Sequence, residues 1–307
     1  MNCHEIVQRF FNRALVKRRA LGSHGVRSRL TQPYRLLLGS AVTLASLLLI
    51  GRSAYNGLVE KGVDLEQKGR FVEAVAVYQR ALRLNPTDAF THYNLGSALE
   101  KQGQLDGAIA AYQKALQLDA RYTFAYNNIG FAFEQQGKID DAIAAYQKAV
   151  VFNPHYAFTY TCIGDLLSKQ HKFEAATVAY RQAIHADPRH VLAYNHLGLA
   201  LKNQGKLTDA IATHQQVIRL DPDYTAAYHD LGNLFLMQGK LDDAIANYRK
   251  ALQLNPKSAA AHYSLGVVLE RRGLRQAAVT AYQQAIALSP TNVSYQSALS
   301  GLIPLVK

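Results

Sequence analysis

The chain has 307 residues, and its 34 Lys and Arg against 22 Asp and Glu give a formal net charge of +12. Residues 1–54 carry nine of these basic residues and one acid, while residues 55–307 carry 25 and 21, a near balance that argues against a basic nucleic-acid groove along the folded body. Two cysteines exclude a disulfide framework and a multi-cysteine zinc site, and 49% hydrophobic residues exclude wholesale disorder.

The N-terminal arm, residues 1–35, is basic, and residues 36–54 are predicted to form a transmembrane signal anchor. The apolar part, Leu36 to Gly51, has 16 residues and no charge, and it lies between Arg35 and Arg52. This is short for a spanning helix, but both arginines can extend toward the headgroups, which makes a tight span feasible. The positive-inside rule then places the arm in the cytoplasm and the rest of the chain across the membrane.

Three alternatives stay open for this segment. Gly51 and Ser53 are small residues at the two key places of a signal-peptide cleavage site, so secretion after cleavage is one. An Arg-rich, acid-poor arm is also typical of an organelle transit peptide. A hydrophobic cap helix without a membrane is the third.

From residue 55 the chain repeats with a period of 34 residues. A Gly, an Ala and a Tyr recur at this interval in seven copies, with His214 in place of the fifth Tyr. The remaining residues, 293–307, are predicted to form a C-terminal capping helix and tail. The seven repeats, numbered 1 to 7 below, are predicted at 55–88, 89–122, 123–156, 157–190, 191–224, 225–258 and 259–292.

Each repeat is predicted to be a helical hairpin. In repeat 6, apolar residues recur at helical spacing on both sides of Gly239, and Pro256 follows the second run. Gly239 suits the left-handed turn that ends a first helix, and its column holds Gly in every repeat except at His171. Gly232 and Ala244 have almost no side chain, so the two helices are expected to approach closely there.

Each repeat contains an aromatic residue, a Leu-Gly pair, an Ala, a Tyr, a second Ala and a Pro at nearly constant places, with a few substitutions. Over residues 55–292 this pattern resembles the signature of the tetratricopeptide repeat (TPR) family. The resemblance implies an all-α fold, a right-handed superhelical solenoid of seven TPR helical hairpins plus a capping helix, whose first helices line a concave surface. One N-terminal transmembrane helix would precede it. The physical expectation agrees, because each hairpin leaves an apolar face that only the next hairpin can cover.

The resemblance also implies a peptide-binding groove, because TPR ligands meet side chains near the second, fifth, sixth and ninth places of a repeat. Asn94 and Asn128 resemble the start of the asparagine ladder of O-linked N-acetylglucosamine transferases. An Asn amide both donates to C=O and accepts from N–H, which suits an extended peptide. The alternative is that these side chains only pack between repeats. The candidate groove residues are Phe90, Asn94, Phe124, Asn127, Asn128, Phe158, Leu192 and Asn195.

The sequence contains no phosphate-binding glycine loop, nucleophile elbow or HExxH pattern. We therefore predict no enzymatic activity, no cofactor and no small-molecule substrate. Seven of the eleven histidines fall between residues 155 and 229, but they occupy different places in their repeats, so most are expected to point in different directions. Only His196 and His229, with Asp230, are expected to converge on the concave side, and a metal site there is not favoured.

The combined interpretation is a membrane-anchored scaffold that binds a protein or peptide segment and assists assembly or localisation of a complex. By analogy, the membrane is a bacterial inner membrane or a thylakoid-type membrane, where such proteins include holders of pigment-biosynthesis enzymes. Two alternatives are a noncatalytic TPR subunit that partners a glycosyltransferase-type enzyme, and a purely structural spacer.

Overall fold

The computed structural model describes the backbone of residues 38–302 and the side chains of residues 51–302. Its described part consists of fifteen α-helices without strands, which confirms the predicted all-α class. The helices are α1 (Leu38–Gln67), α2 (Phe71–Leu84), α3 (Ala89–Lys101), α4 (Leu105–Leu118), α5 (Phe124–Gln135), α6 (Ile139–Phe152), α7 (Ala157–Lys169), α8 (Phe173–Ala186), α9 (Val191–Asn203), α10 (Leu207–Leu220), α11 (Thr225–Met237), α12 (Leu241–Leu254), α13 (Ala259–Arg271), α14 (Arg275–Leu288) and α15 (Val293–Leu302).

The basic arm, residues 1–35, lies outside the described residues. The predicted anchor, Leu36 to Gly51, lies almost entirely outside the residues whose side chains are described. Among the helices of the described part, none combines the length and the apolar character that a membrane crossing requires.

The chain divides into two compact halves, residues 1–162 and residues 163–307, and the division falls within α7. In the N-terminal half, α1 packs on α2, α3 on α4 and α5 on α6, while α2 also packs on α3 and α4 on α5. In the C-terminal half, the pairs α9–α10, α11–α12 and α13–α14 follow the same order, and α15 packs on α14. Both halves are therefore stacks of helical hairpins.

Within a hairpin, the helices touch where a glycine of the first helix meets an aromatic ring of the second. A Cβ at Gly96 would lie 2.6 Å from Cδ1 of Tyr112, and one at Gly164 would lie 2.7 Å from Cδ1 of Tyr180. Both distances are shorter than carbon atoms tolerate, so only glycine fits while the rings stay in place. The same contact recurs at all seven glycines of the column: Gly62, Gly96, Gly130, Gly164, Gly198, Gly232 and Gly266.

The turn inside each hairpin has left-handed backbone at the predicted position. The six glycines of this column have φ between 71° and 80°, and His171 has φ of 58°. In repeat 2 the backbone N–H of Gly103 closes the turn by donating to the carbonyl of Glu100 at 2.9 Å. The predicted left-handed turn is confirmed, including its one residue that is not glycine.

We expect Gly107→Ala to stabilise the N-terminal half by about 0.5–1 kcal/mol, because glycine inside a helix costs backbone entropy. Gly107 lies in α4, and an added Cβ would meet Cδ1 of Leu99 at 3.4 Å, an ordinary contact. The same substitution at Gly103, where φ is 75°, should instead destabilise the half by about 1 kcal/mol. Thermal unfolding followed by circular dichroism should show midpoints that move in opposite directions, and a shared direction would contradict the argument.

Candidate binding surface on the first helices

Side chains at the second, fifth, sixth, ninth and twelfth places of the first helices form a surface in each half. We call it the first-helix face, and it is described separately for each half. The N-terminal half contributes α1, α3, α5 and the start of α7, and the C-terminal half contributes the rest of α7 with α9, α11 and α13.

In four repeats, the tyrosine of the second helix donates its hydroxyl hydrogen bond to a glutamate at the twelfth place of the first helix. Burial raises the pKa of Glu66, against the hydrogen bond from Tyr78, which lowers it. Burial also raises the pKa of Tyr112, so its hydroxyl stays protonated and donates. The pairs are Tyr78–Glu66 at 2.6 Å, Tyr112–Glu100 at 3.0 Å, Tyr146–Glu134 at 3.5 Å and Tyr282–Glu270 at 2.7 Å.

Repeats 4 and 6 replace this pair with a bond one turn earlier, at the ninth place. Tyr180 donates to Asp165 at 2.8 Å, and its hydroxyl lies 3.2 Å from Ser168, which occupies the twelfth place. Tyr248 donates to Asn233 at 2.7 Å. The tyrosine therefore keeps its place in these repeats, whereas the residue that accepts its hydrogen bond lies three places earlier in the first helix.

Repeat 5 has lost the pair altogether. His214 replaces the tyrosine, and Leu199 and Lys202 occupy the two acceptor places. The ring of His214 is fully buried, and neither ring nitrogen has a hydrogen-bond partner among the described residues. Burial lowers the pKa of His214, with Lys202 acting in the same direction and Asp230 against it. In repeat 5 the hydroxyl of a tyrosine would have no acceptor, and the smaller, neutral imidazole of His214 occupies its place.

The predicted asparagines of the N-terminal half lie nearly buried between successive first helices. Nδ2 of Asn128 donates to the hydroxyl of Tyr93 at 3.1 Å. Oδ1 of Asn127 accepts from the hydroxyl of Thr159 at 2.9 Å. Asn94 is 7% exposed, and its Nδ2 has no hydrogen-bond partner in the part of the chain that is described. The amides of Asn127 and Asn128 already join neighbouring repeats, and contact of the three asparagines with a ligand stays a prediction.

The three predicted phenylalanines of the N-terminal half are half-buried. Phe90 packs against a small core that contains Val59 and Ala81. The ring of Phe124 meets the ring of Tyr156 edge-on at 5.6 Å between centroids. Phe90 and Phe124 therefore pack against neighbouring side chains, and all three phenylalanines keep part of the ring in contact with solvent.

In the C-terminal half, the two predicted groove residues differ in exposure. Leu192 is half-buried, whereas Asn195 is buried. Oδ1 of Asn195 finds no donor among residues 51–302. A binding role for both residues stays a prediction.

The histidines of the C-terminal half belong to separate networks. Nδ1 of His196 lies 2.7 Å from Oδ1 of Asp165. His229 instead contacts Ser264 through Nε2 at 3.1 Å, and Nδ1 accepts from the Asn233 amide at 3.4 Å. The described residues contain no group of three or more His, Cys, Asp or Glu that could hold a metal ion.

A cleft that we did not predict from the sequence opens on the C-terminal half. Its volume is about 390 Å³, and Asp165, Ser168 and His196 are among the residues that line it. The signal that could have found it is the twelfth-place column, where the glutamate of repeats 1 to 3 gives way to Ser168, Lys202 and Leu236 in repeats 4 to 6.

Comparisons with solved structures support the hairpin stack. YrrB, described as a TPR protein with an unusual peptide-binding site, is 23% identical, with a TM-score of 0.53 over 60% of this chain and 95% of that one. MamA is 29% identical, with a TM-score of 0.51 over 54% of this chain and 96% of that one. The C-terminal part of a TPR repeat-containing protein from Cytophaga hutchinsonii is 16% identical, with a TM-score of 0.68 over 78% of this chain and 99% of that one.

No curated protein matches the chain. Models of the TPR repeat match residues 65–103, 99–137, 164–205, 198–239 and 232–273, which together exceed half of the chain. Tetratricopeptide repeat models also match residues 123–156 and 259–292. The chain belongs to the tetratricopeptide repeat family.

Proposed function

We propose that the chain is a protein-interaction scaffold whose first-helix face binds an extended segment of a partner protein. The observation that carries this proposal is the set of half-buried rings at the second place of three successive repeats, Phe90, Phe124 and Phe158. YrrB, a structural neighbour, is described as having a peptide-binding site, which supports the same use of the fold. The proposal gives the chain no catalytic role of its own.

Half-buried aromatic rings suit this role because a few aromatic contacts usually supply most of the binding energy of an interface. The Phe124 ring is held by its edge contact with Tyr156, so it loses little conformational entropy on binding. The amides of Asn127 and Asn128 are likewise held by neighbouring repeats. A surface fixed in this way is preorganised for a partner segment.

Phe124→Ala is expected to weaken capture of the partner at least about tenfold, which corresponds to about 1.4 kcal/mol. The assay is affinity capture with the full-length chain from detergent-solubilised membranes, followed by titration of the captured protein. Phe152→Ala is the matched control, since Phe152 ends a second helix and is 52% exposed. It should leave capture within about twofold.

Both variants must keep the wild-type helix content by circular dichroism. If Phe124→Ala folds normally and binds its partner as the wild type does, recognition does not use the second place of the first helices. Equal losses for both variants would point to the second helices instead.

We also propose that Leu36 to Gly51 anchors the scaffold in a membrane, with residues 1–35 in the cytoplasm, and that the anchored scaffold assists assembly or localisation of a complex. The support is the uncharged run of 16 residues behind an arm with eight basic residues and one acid. We expect the full-length chain to resist carbonate extraction and the arm to be cleaved by protease added to the cytoplasmic side. Release of the full-length chain into the soluble fraction would refute the anchor.

A further inference from the structure

The cleft on the C-terminal half results from a change in which side chain accepts the hydrogen bond of one tyrosine hydroxyl. In repeats 1 to 3 and 7 a glutamate at the twelfth place accepts the tyrosine hydroxyl, as in the pair Tyr112–Glu100. In repeat 4, Asp165 accepts the hydroxyl of Tyr180 from the ninth place. Ser168 at the twelfth place is shorter than glutamate by two heavy-atom bonds and leaves room beside the tyrosine. The carboxylate therefore lines a cleft instead of filling it.

The cleft lies between α7 and α9, within residues 163–307. The Asp165 side chain is 29% exposed, and the nearby His196 side chain is equally exposed. Tyr180 and His196 both contact Oδ1 of Asp165, so Oδ2 keeps acceptor capacity for a further donor in the cleft. The site offers a carboxylate in a defined orientation.

The backbone adds to the negative character of this cleft. Lys169 and Asn203 are the last residues of α7 and α9, and both line the cleft. The carbonyl end of a helix carries partial negative charge and favours cations. Lys169 opposes this, but its side chain is exposed to solvent, where screening weakens its repulsion.

The remaining lining is the imidazole of His171 and a mainly apolar and aromatic set, Phe173, Tyr180, Leu199 and Ala200. A long basic side chain matches this combination because its methylene stem packs on apolar surface while its charged end reaches a carboxylate. A guanidinium also stacks on aromatic rings and bonds a carboxylate with two N–H groups.

We propose that this cleft receives an arginine or lysine side chain of the partner segment, with Asp165 as its counter-charge. The inference rests on the proposed scaffold function, since the side chain arrives as part of a bound segment. It adds a chemical preference that the phenylalanines of the N-terminal half do not supply.

The test is a selection of random short peptides from a display library on the immobilised full-length chain in detergent. We expect the enriched peptides to share an arginine or lysine at a fixed place. An enriched peptide is then synthesised with arginine at this place and, separately, with citrulline, which has the shape of arginine and no charge. Citrulline should weaken binding to the wild type at least about tenfold.

Two variants locate the charge contact. Asp165→Asn keeps an acceptor for Tyr180 and removes the charge, so it should weaken the basic peptide at least about tenfold and leave the citrulline peptide unchanged. Ser168→Gln has the length of the glutamate of repeats 1 to 3 without its charge, fills the cleft and should produce a similar loss with undiminished thermal stability. Glu174→Gln, an exposed charge change on α8, is the control and should have no effect.

The outcomes separate the two proposals. Peptides enriched without a basic residue, or with an acidic residue in its place, would overturn the cation cleft and leave the scaffold function standing. A basic peptide that binds Asp165→Asn and Ser168→Gln as tightly as the wild type would place its charge elsewhere and also overturn the cleft. Failure to enrich any peptide would count against both proposals.

Discussion

Gly164→Leu is expected to lower the thermal stability of the C-terminal half by more than any substitution on its exposed surface. The first side-chain carbon alone would come 2.7 Å from Cδ1 of Tyr180, whose ring is buried and cannot move aside. Overpacking of this kind costs roughly 1–3 kcal/mol or more, and a leucine adds three carbons beyond the first. Thermal unfolding by circular dichroism should therefore show a large drop in midpoint, with hydrogen exchange locating it in residues 163–302.

Leu199→Ala is the comparison variant in the same half. Leu199 is half-buried and lines the cleft, so its truncation removes less buried surface than truncation of a core leucine. We expect it to cost less than about 2 kcal/mol. Equal midpoint shifts for Gly164→Leu and Leu199→Ala would mean that the glycine contact carries no special constraint.

The close contacts and turns were predictable from the sequence because they are constraints on the backbone. A residue at φ of 74°, as at Gly239, must be glycine or one of the few residue types that tolerate that region. A close contact such as that between Gly232 and Tyr248 likewise restricts the residue types at both positions in each repeat. Seven copies at one interval make such a constraint visible without any structure.

The hydrogen bonds on the first-helix face were not predictable in the same way. The sequence suggested that the Asn128 amide is available to a peptide, whereas the structure joins it to Tyr93, 35 residues earlier. The cleft beside Asp165 depends on which of two places, one turn apart, accepts a tyrosine hydroxyl. These choices depend on side-chain reach between neighbouring helices, and they differ from repeat to repeat.

Acidification from about pH 7.5 to about pH 5.5 is expected to destabilise the C-terminal half, in a range where histidines titrate and most carboxylates stay ionised. Burial lowers the pKa of His190, His214 and His229 below the ordinary value of 6.5. The unfolded chain then binds protons more readily than the folded chain as pH falls through about 6.5. The stability of this half is thus complete above that pH and declines below it.

The N-terminal half contains a buried carboxylate whose contribution to the pH dependence of stability has the opposite sign. Burial raises the pKa of Glu66 above its ordinary value of 4.5, so the folded state takes up a proton first as pH falls. Hydrogen exchange, corrected for the pH dependence of the intrinsic rate, resolves the two halves in one experiment. We expect protection to fall in residues 163–302 and to hold or rise in residues 51–162.

His214→Phe isolates the contribution of the most deeply buried of these histidines, because His214 is fully buried and has no hydrogen bond to lose among the described residues. A six-membered ring lies beside the glycine of this column in the other six repeats, so phenylalanine should fit beside Gly198. We expect the variant to retain much more of its stability at about pH 5.5 than the wild type does, while the two differ less at about pH 7.5. His185→Phe, at an exposed histidine of α8, is the matched control and should leave the acid sensitivity unchanged. If His214→Phe loses stability on acidification as steeply as the wild type, the buried ring is not the group that titrates, and His190 and His229 must account for the effect.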